Sequence, residues 1–203
     1  MENNETLDTY NRSAKELSKF YSSNKPRIKE IELALELAGK NDGSGRALEI
    51  GCGDGRDAVE IIKRTETYVG IDYSVGLIGL AKELLPTADF RVVDMQNYDY
   101  PAHAFDVIFA FDSILHLDKE SVKQLFSDAS RSLKIGGIFF IKTKYAKGYK
   151  KVWKEDKHGK RLFFFYTPKL LQELAKPHFE IAVSEVKLIN KAQWVEIALR
   201  KIK

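Results

Sequence analysis

The sequence lacks most of the features that mark secreted, membrane or disulfide-rich proteins. Its 203 residues include one cysteine, Cys52, which excludes an internal disulfide framework and is typical of a reducing cytoplasm. No apolar run approaches the ~20 residues that span a bilayer, and the polar N-terminus lacks the apolar core of a secretory signal. A net charge of +4 is too small to indicate nucleic-acid binding by itself. We therefore expect a cytoplasmic chain with one α/β domain.

Basic residues are unevenly distributed along the chain. Nine Lys or Arg residues lie between Lys142 and Arg161, against only Glu155 and Asp156. This stretch is compatible with a surface that attracts an anionic substrate or RNA. It is also typical of a solvated hairpin that keeps a sheet edge soluble, and both interpretations remain open.

Glycine occupies every second position after a short apolar segment that ends in Glu49, namely at Gly51, Gly53 and Gly55. Because glycine has no side chain, a bulky ligand can approach the main chain there. The third glycine comes one residue earlier than in the dinucleotide fingerprint Gly-x-Gly-x-x-Gly. Asp54 and Glu49 also place negative charge where a pyrophosphate would lie. The loop therefore suits a cationic or zwitterionic ligand better than NAD.

Strands and helices alternate between residues 46 and 141, which predicts a mostly parallel sheet with helices on both faces. The last two strands, at 179–186 and 194–199, lie too close together for a crossover helix and should pair antiparallel. We predict a single Rossmann-like α/β domain with a seven-stranded sheet whose last strand is antiparallel. One helix is expected at 7–22.

Segments before and after the alternating strands and helices decide the predicted domain organisation. Residues 1–40 are predicted to form an N-terminal helical cap or lid, and residues 41–203 the domain that carries the sheet. A hairpin is predicted at 145–167, inserted after strand five, because two strand-like runs flank a turn sequence there.

The glycine loop closely resembles the cofactor loop of class I S-adenosylmethionine-dependent methyltransferases. Further landmarks follow in the family's order and spacing: Val69 to Ser74, Val93 to Met95, Phe105 to Ile108, and Leu133 to Gly137. The last of these resembles the family's Leu-Lys-Pro-Gly-Gly, with Ile135 in place of proline. The resemblance covers about residues 45–145 and implies a Rossmann-like fold with S-adenosylmethionine as the cofactor.

Carried over residue by residue, the resemblance implies a cofactor site at the carboxyl ends of the strands. Glu49 would order the loop, Asp72 would bind the ribose hydroxyls, and Asp94 would accept a hydrogen bond from the adenine amino group. An alternative for Asp72 is a helix-capping role. The residues assigned to this site are Glu49, Gly51, Cys52, Gly53, Gly55, Asp72, Tyr73, Asp94, Met95 and Phe111.

His116 is the candidate general base, because it follows strand four at the open end of the sheet and its near-neutral pKa suits proton abstraction. The alternative is a structural histidine that orders the loop. Asp112 is expected either to contact cofactor or acceptor or to order the same loop. Methyl transfer from a sulfonium gains much of its acceleration from alignment, so a base is needed only for some acceptors. No zinc-spaced cluster occurs in the sequence, and no metal is predicted.

Substrate selection is expected from Tyr10 and Tyr21 in the first helix and from Trp153 and Tyr166 on the hairpin, although these rings could also serve only for packing.

The predicted function is methyl transfer from S-adenosylmethionine to oxygen or nitrogen of a small-molecule acceptor. One alternative is an RNA or protein methyltransferase that uses the basic 142–161 surface. Another is a non-catalytic, cofactor-binding regulatory protein. No membrane partner is predicted, and a monomer and a homodimer are both compatible with the sequence.

Overall fold

Most of the strands form one sheet, and a separate hairpin lies beside it. The computed structural model describes residues 4–21, 25–189 and 192–202. Within these residues the strands are β1 (Arg46–Ile50), β2 (Thr67–Asp72), β3 (Asp89–Val92), β4 (Phe105–Phe111), β5 (Leu133–Lys144), β6 (Lys150–Asp156), β7 (Gly159–Phe165), β8 (Phe179–Ile189) and β9 (Ala192–Lys201). Strands β6 and β7 pair only with each other as the hairpin.

The seven remaining strands are ordered β3-β2-β1-β4-β5-β9-β8. Strands β1 to β5 pair in parallel, and β9 runs antiparallel between β5 and β8. Strand order reverses between β1 and β4, which creates a crevice at their carboxyl ends. The predicted fold class is confirmed, including the antiparallel last strand and the hairpin after β5.

Helices cover both faces of this sheet: α1 (Asn4–Arg12), α2 (Ala14–Tyr21), α3 (Ile28–Leu37), α4 (Ala58–Ile62), α5 (Val75–Leu84), α6 (Lys119–Ser132) and α7 (Pro168–Ala175). Three helices begin at side chains that accept a hydrogen bond from a backbone N–H of the first turn: Ser74 before α5, Asp118 before α6 and Thr167 before α7. Such caps satisfy donors that have no partner within the helix. No helix among the described residues is long and apolar enough to cross a membrane.

The core lies in two layers, one on each face of the sheet. One layer includes residues of α6, α7 and part of the hairpin, and the other includes residues of α3, α4 and α5. All seven residues of β4 are buried, as expected for a central strand covered on both faces. Helix α3 contributes Ile31, Ala34 and Leu35 to the second layer although it falls within the predicted 1–40 cap. The division of the chain at residue 40 stays a prediction.

Two element boundaries differ from the sequence expectation. The helix expected at 7–22 is interrupted at Ser13, whose hydroxyl donates to the carbonyl of His158 on the hairpin. This break lets α1 lie along β7 while α2 packs on α5, where a Cβ on Gly76 would come within 2.9 Å of the Cβ of Ala14. Strand β5 runs beyond residue 141, where the expected alternation ends, because its ladder with β9 continues to Lys144.

Candidate active site

A cavity of about 880 Å³ lies over the carboxyl ends of β1, β2 and β4, between the α1–α2 pair and the hairpin. Its walls carry opposite charges. On the β1 and β2 side the acids outnumber the bases Arg27 and Arg56, which both pair with Asp57. We call this side the acidic half, and its acids are Glu49, Asp54, Asp57, Asp72 and Asp94. The basic half, on the β5 and hairpin side, is lined by Lys142, Lys144, Lys154 and Arg161. The cavity therefore combines two environments suited to different chemical groups.

The glycine loop between β1 and α4 adopts left-handed backbone angles, with φ of 73° at Gly51, 58° at Gly53 and 82° at Gly55. A Cβ on Gly51 would come within 2.3 Å of the Cβ of Ser113, so this glycine lets the loops after β1 and β4 approach each other. Gly55 packs against α5, where a Cβ would lie 3.3 Å from that of Ala81. At Gly53 a Cβ would meet nothing within 4 Å, so bare main chain faces the cavity.

Asp72, at the end of β2, ties the glycine loop to the start of α5. Its Oδ2 accepts a hydrogen bond from the backbone N–H of Gly53 at 2.9 Å, and its Oδ1 accepts from that of Ser74 at 2.8 Å. Burial raises the pKa of this carboxyl, whereas the two backbone hydrogen bonds oppose the rise. Each carboxylate oxygen can accept a further hydrogen bond, so Asp72 retains capacity to bind a ligand. Its role toward ribose stays a prediction.

Glu49 and Cys52 lie deeper in the acidic half. Oε2 of Glu49 accepts a hydrogen bond from the hydroxyl of Tyr68 at 2.6 Å, and burial, together with the charge of Asp57, raises the pKa of Glu49. The backbone N–H of Cys52 donates to the carbonyl of Ile71 at 3.0 Å, which extends the β1–β2 contact into the loop. Burial raises the pKa of the Cys52 thiol, which makes it a poor nucleophile and fits a structural role.

The other predicted cofactor residues lie around the same space. Tyr73, Asp94 and Met95 line the cavity beyond the ends of β2 and β3, and Tyr73 is 43% exposed. Phe111 is buried at the end of β4, with the guanidinium carbon of Arg27 5.1 Å from its ring centroid. All the predicted cofactor residues except Gly55 therefore line one cavity. Their individual roles stay predictions.

Arg27, which was not predicted, links the loops after β1 and β4. Its guanidinium forms ion pairs with Asp57 and Asp112, and its backbone N–H donates to Oδ1 of Asp57 at 2.9 Å. Asp112 has a φ of 57°, which is uncommon for a residue with a side chain. Its Oδ1 is buried and has no hydrogen-bond partner among the described residues. No local pattern indicates this role of Arg27, because its two partners lie 30 and 85 residues away.

His116 contacts Tyr10, which joins a predicted base to a predicted lid residue. Its Nδ1 lies 2.9 Å from the carbonyl of Leu162, and its Nε2 lies 2.9 Å from the Tyr10 hydroxyl. A carbonyl only accepts, so Nδ1 carries the proton of the neutral ring and Nε2 accepts from Tyr10. Burial lowers the pKa of His116 to about 4 and raises that of Tyr10 above its ordinary value. A base role for His116 stays a prediction.

Strand alternation decides which hairpin side chains reach the cavity. Arg161, Phe163 and Phe165 in β7 line it, whereas Leu162 and Phe164 between them are buried in the core. The two cavity-facing phenyl rings are nearly parallel, with centroids 6.0 Å apart. An aromatic wall therefore lies beside the basic half.

The structure corrects the expected position of Trp153 and Tyr166. Trp153 pairs with Leu162 in the hairpin ladder and packs with it against the core, with the Lys160 ammonium 4.9 Å from its ring centroid. Tyr166 is fully buried, and its hydroxyl donates to the carbonyl of Leu117 at 2.6 Å. Neither side chain lines the cavity, whereas Tyr10 and Tyr21 do. The sequence showed which segment approaches the site but not which face of the hairpin turns toward it.

The residues of the acidic half fit the predicted cofactor. The open main chain at Gly53 offers a cradle that a side chain would fill, and Asp72 beside it can accept from hydroxyl groups. Carboxylates around the loop suit the sulfonium and ammonium groups of S-adenosylmethionine. They would repel the pyrophosphate of NAD.

Comparison with known proteins agrees with this geometry. Residues 47–137 match the family model of a methyltransferase domain. Phosphoethanolamine N-methyltransferase 1 of Arabidopsis thaliana is 35% identical over 101 residues, which are 47% of this chain and 20% of that protein. Phosphoethanolamine N-methyltransferase of Plasmodium falciparum is 30% identical over 132 residues, 63% of this chain and 48% of that protein. The chain thus spans between a fifth and a half of these two relatives.

Solved structures extend the likeness to the whole fold. The crystal structure of an S-adenosylmethionine-dependent methyltransferase from Clostridium acetobutylicum superposes with a TM-score of 0.74. It covers 96% of this chain and 99% of that chain at 15% identity, and this identity is low enough that the match shows the fold alone. The chain therefore has the Rossmann-like fold of these structures, and residues 47–137 resemble a methyltransferase domain. The predicted fold is confirmed, and the comparisons agree with the predicted family and cofactor.

Proposed function

We propose that this chain transfers the methyl group of S-adenosylmethionine to an oxygen or nitrogen of a small-molecule acceptor. The observation that carries the proposal is the single cavity with an acidic half on the glycine loop and a basic, aromatic half on the hairpin. A cofactor in the acidic half and an acceptor in the basic half would share one cavity. Holding two reactants in such a space is worth up to ~7–11 kcal/mol of the barrier.

Helices α1 and α2, which we call the cap, form hydrogen bonds to both sides of the cavity. This arrangement favours an acceptor of small size. The Ser18 hydroxyl donates to Oδ2 of Asp54 on the glycine loop at 2.6 Å. The Thr9 hydroxyl donates to the carbonyl of Lys160 on the hairpin at 2.9 Å. Because these contacts hold α1 and α2 over the cavity, they leave less room for a macromolecule than for a small acceptor. This favours a small acceptor over the RNA or protein alternative.

The bound cofactor would supply an electrophilic methyl group on a sulfonium. Asp72 and the backbone of Gly53 would bind it, and the cap would exclude water. Both ring nitrogens of His116 are already hydrogen-bonded, so in the Tyr10–His116 pair the Tyr10 hydroxyl would face an acceptor that must lose a proton. The Tyr10 oxygen would take the acceptor's proton while its own proton passes to Nε2 of His116.

The function is tested by incubating the protein with methyl-labelled S-adenosylmethionine and separate small-molecule, RNA and protein fractions. We expect label in the small-molecule fraction, and much less with Asp72→Ala. Transfer only to RNA or to protein would overturn the acceptor class. No transfer to any fraction, despite cofactor binding, would favour the non-catalytic regulatory alternative.

Once an acceptor is found, the Tyr10–His116 pair is tested by single-turnover kinetics at saturating cofactor. Loss of proton transfer should lower the rate by ~10²-fold in His116→Ala and in Tyr10→Phe. The double variant should be no slower than either single variant, because both act in one step. Normal single-turnover rates in both variants would assign the pair a structural role.

A further inference from the structure

The basic half carries more positive charge than its own acids balance. Lys142 pairs with Glu30 and with Glu196, and Arg161 pairs with Asp156. Lys144 and Lys154 form no ion pair with a carboxylate among the described residues, although both line the cavity. Neither ammonium group thus has a paired carboxylate in the described part of the cavity, although Asp112 lines it too, and there burial raises the pKa of that carboxyl while the charge of Lys144 opposes the rise.

These cations are close enough to influence one another. Lys154 pairs with Arg161 in the hairpin ladder, so both side chains project from the same face. Burial lowers the pKa of Lys154, and the charges of Lys144 and Arg161 lower it further. An anion bound among them would relieve this repulsion.

Arg161 offers a donor that the protein leaves unused. Its side chain is 7% exposed, and its Nε is buried without a hydrogen-bond partner among the described residues. The guanidinium carbon lies 5.7 Å from the ring centroids of both Tyr10 and Phe163, which fix its position beside the cavity. A buried N–H left without an acceptor is costly, and an oxyanion ligand would satisfy it.

Aromatic groups adjoin the same charges. The ammonium of Lys154 lies 4.7 Å from the ring centroid of Phe165 and 5.6 Å from that of Phe163. Trp194 lines the cavity near Lys144, whose ammonium lies 5.5 Å from its ring centroid. The wall around the cations therefore suits an apolar or flat body attached to the charged group.

We infer that the methyl acceptor is a small anion whose carboxylate or phosphate group binds Lys154, Lys144 and Arg161 while its apolar body packs on Phe163, Phe165 and Trp194. This inference rests on the proposed function, because it assigns the acceptor of the same site. Of the nine basic residues of the 142–161 stretch, Lys142, Lys144, Lys154 and Arg161 line the cavity, and the other five do not.

The test uses calorimetric titration of benzoate, phenyl phosphate and neutral benzamide into the full chain, with and without saturating S-adenosylhomocysteine, at constant ionic strength. We expect the two anions to bind and benzamide to bind at least ~10-fold more weakly, since hydrogen bonds to charged groups are the stronger ones. The stronger of the two anions identifies the class as carboxylate or phosphate.

Variants locate the site. Lys154→Gln and Lys144→Gln should each weaken the preferred anion by ~10-fold without changing the affinity for S-adenosylhomocysteine. Lys157→Gln, in the exposed hairpin turn outside the cavity, is the matched control and should bind like the wild type. Both lysines are exposed, so these changes should leave folding intact.

The outcomes separate this inference from the proposed function. Equal binding of benzoate, phenyl phosphate and benzamide, or anion binding that Lys154→Gln and Lys144→Gln leave unchanged, would overturn the inference. Failure to bind S-adenosylhomocysteine would overturn the proposed function instead. The titrations without S-adenosylhomocysteine would still decide whether an anion binds at Lys154.

Discussion

The two halves of the cavity are built by different means. In the acidic half the decisive residues lie close together in sequence, in the loop at 51–55 and at Asp72. In the basic half, α1 and the hairpin meet through hydrogen bonds that join residues about 150 positions apart, as between Thr6 and the N–H of Leu162. Local backbone geometry therefore fixes the first half, and long-range packing fixes the second. Changes in the first half should affect the cofactor, and changes in the second should affect the acceptor and the closure of the cap.

The largest effect is expected from Gly51→Ala in the glycine loop. The left-handed backbone costs a residue with a Cβ ~1–2 kcal/mol, and the overlap with Ser113 adds ~1–3 kcal/mol. The free energy of unfolding should fall by about 3 kcal/mol in urea denaturation. Gly53→Ala is the matched control, because a Cβ at this position would meet open space. This variant should lose only ~1 kcal/mol of unfolding free energy, yet its binding of S-adenosylhomocysteine should weaken. Equal destabilisation by both variants would contradict the described loop contacts.

The second effect is a pH dependence that originates at His116, which contacts both α1 and the hairpin. The pKa of His116 is about 4 in the folded protein and ~6.5 in the unfolded chain, so the unfolded chain binds more protons between these values. Stability should therefore fall as pH drops from ~6.5 to ~4, by at most about 3 kcal/mol from this group. His116→Gln should remove that part of the dependence.

His178→Gln is the control for this measurement, because His178 lies before β8 and does not line the cavity. Urea titrations of the wild type and both variants at a series of pH values measure the difference. If the wild type and His116→Gln show the same profile, burial does not hold His116 neutral.

The third effect separates the two halves by ligand. Asp72→Ala should weaken S-adenosylhomocysteine binding by ~1.5–3 kcal/mol, because a charged hydrogen-bond acceptor is lost. It should also reduce the stability of the unliganded protein, since the N–H groups of Gly53 and Ser74 lose their acceptor. Lys154→Gln, in the basic half, should leave cofactor affinity unchanged. Loss of stability in Asp72→Ala with full cofactor affinity would identify Asp72 as purely structural.

Sequence reasoning succeeded where the determinants are local. The glycine spacing predicted the loop after β1, and the alternation of strands and helices between residues 46 and 141 predicted the mostly parallel sheet. It could not find Arg27 or Asp57, because their ion pairs connect separate loops. For another reason it expected Trp153 and Tyr166 at the cavity, which Phe163 and Phe165 line. A shift of one residue along a strand moves a side chain to the opposite face, and only the packed hairpin decides which face is which.

The smallest effect is expected where α1 meets β7. The Thr6 hydroxyl accepts a hydrogen bond from the backbone N–H of Leu162 at 2.9 Å, so Thr6→Val should cost ~1 kcal/mol. Hydrogen exchange should accelerate in α1 and in residues 158–163 and stay unchanged in β1 and β4. Binding of S-adenosylhomocysteine should slow exchange in the same segments, as expected of a lid. Slow exchange there with and without ligand would contradict a lid.

The central claim is that the acidic half binds S-adenosylmethionine and rejects a dinucleotide. Calorimetric titration of S-adenosylhomocysteine and of NAD into the wild-type protein tests it most directly. We predict saturable binding of S-adenosylhomocysteine, weakened in Asp72→Ala and unchanged in Lys154→Gln, with no measurable heat from NAD. Tight binding of NAD together with no response to S-adenosylhomocysteine would contradict the account.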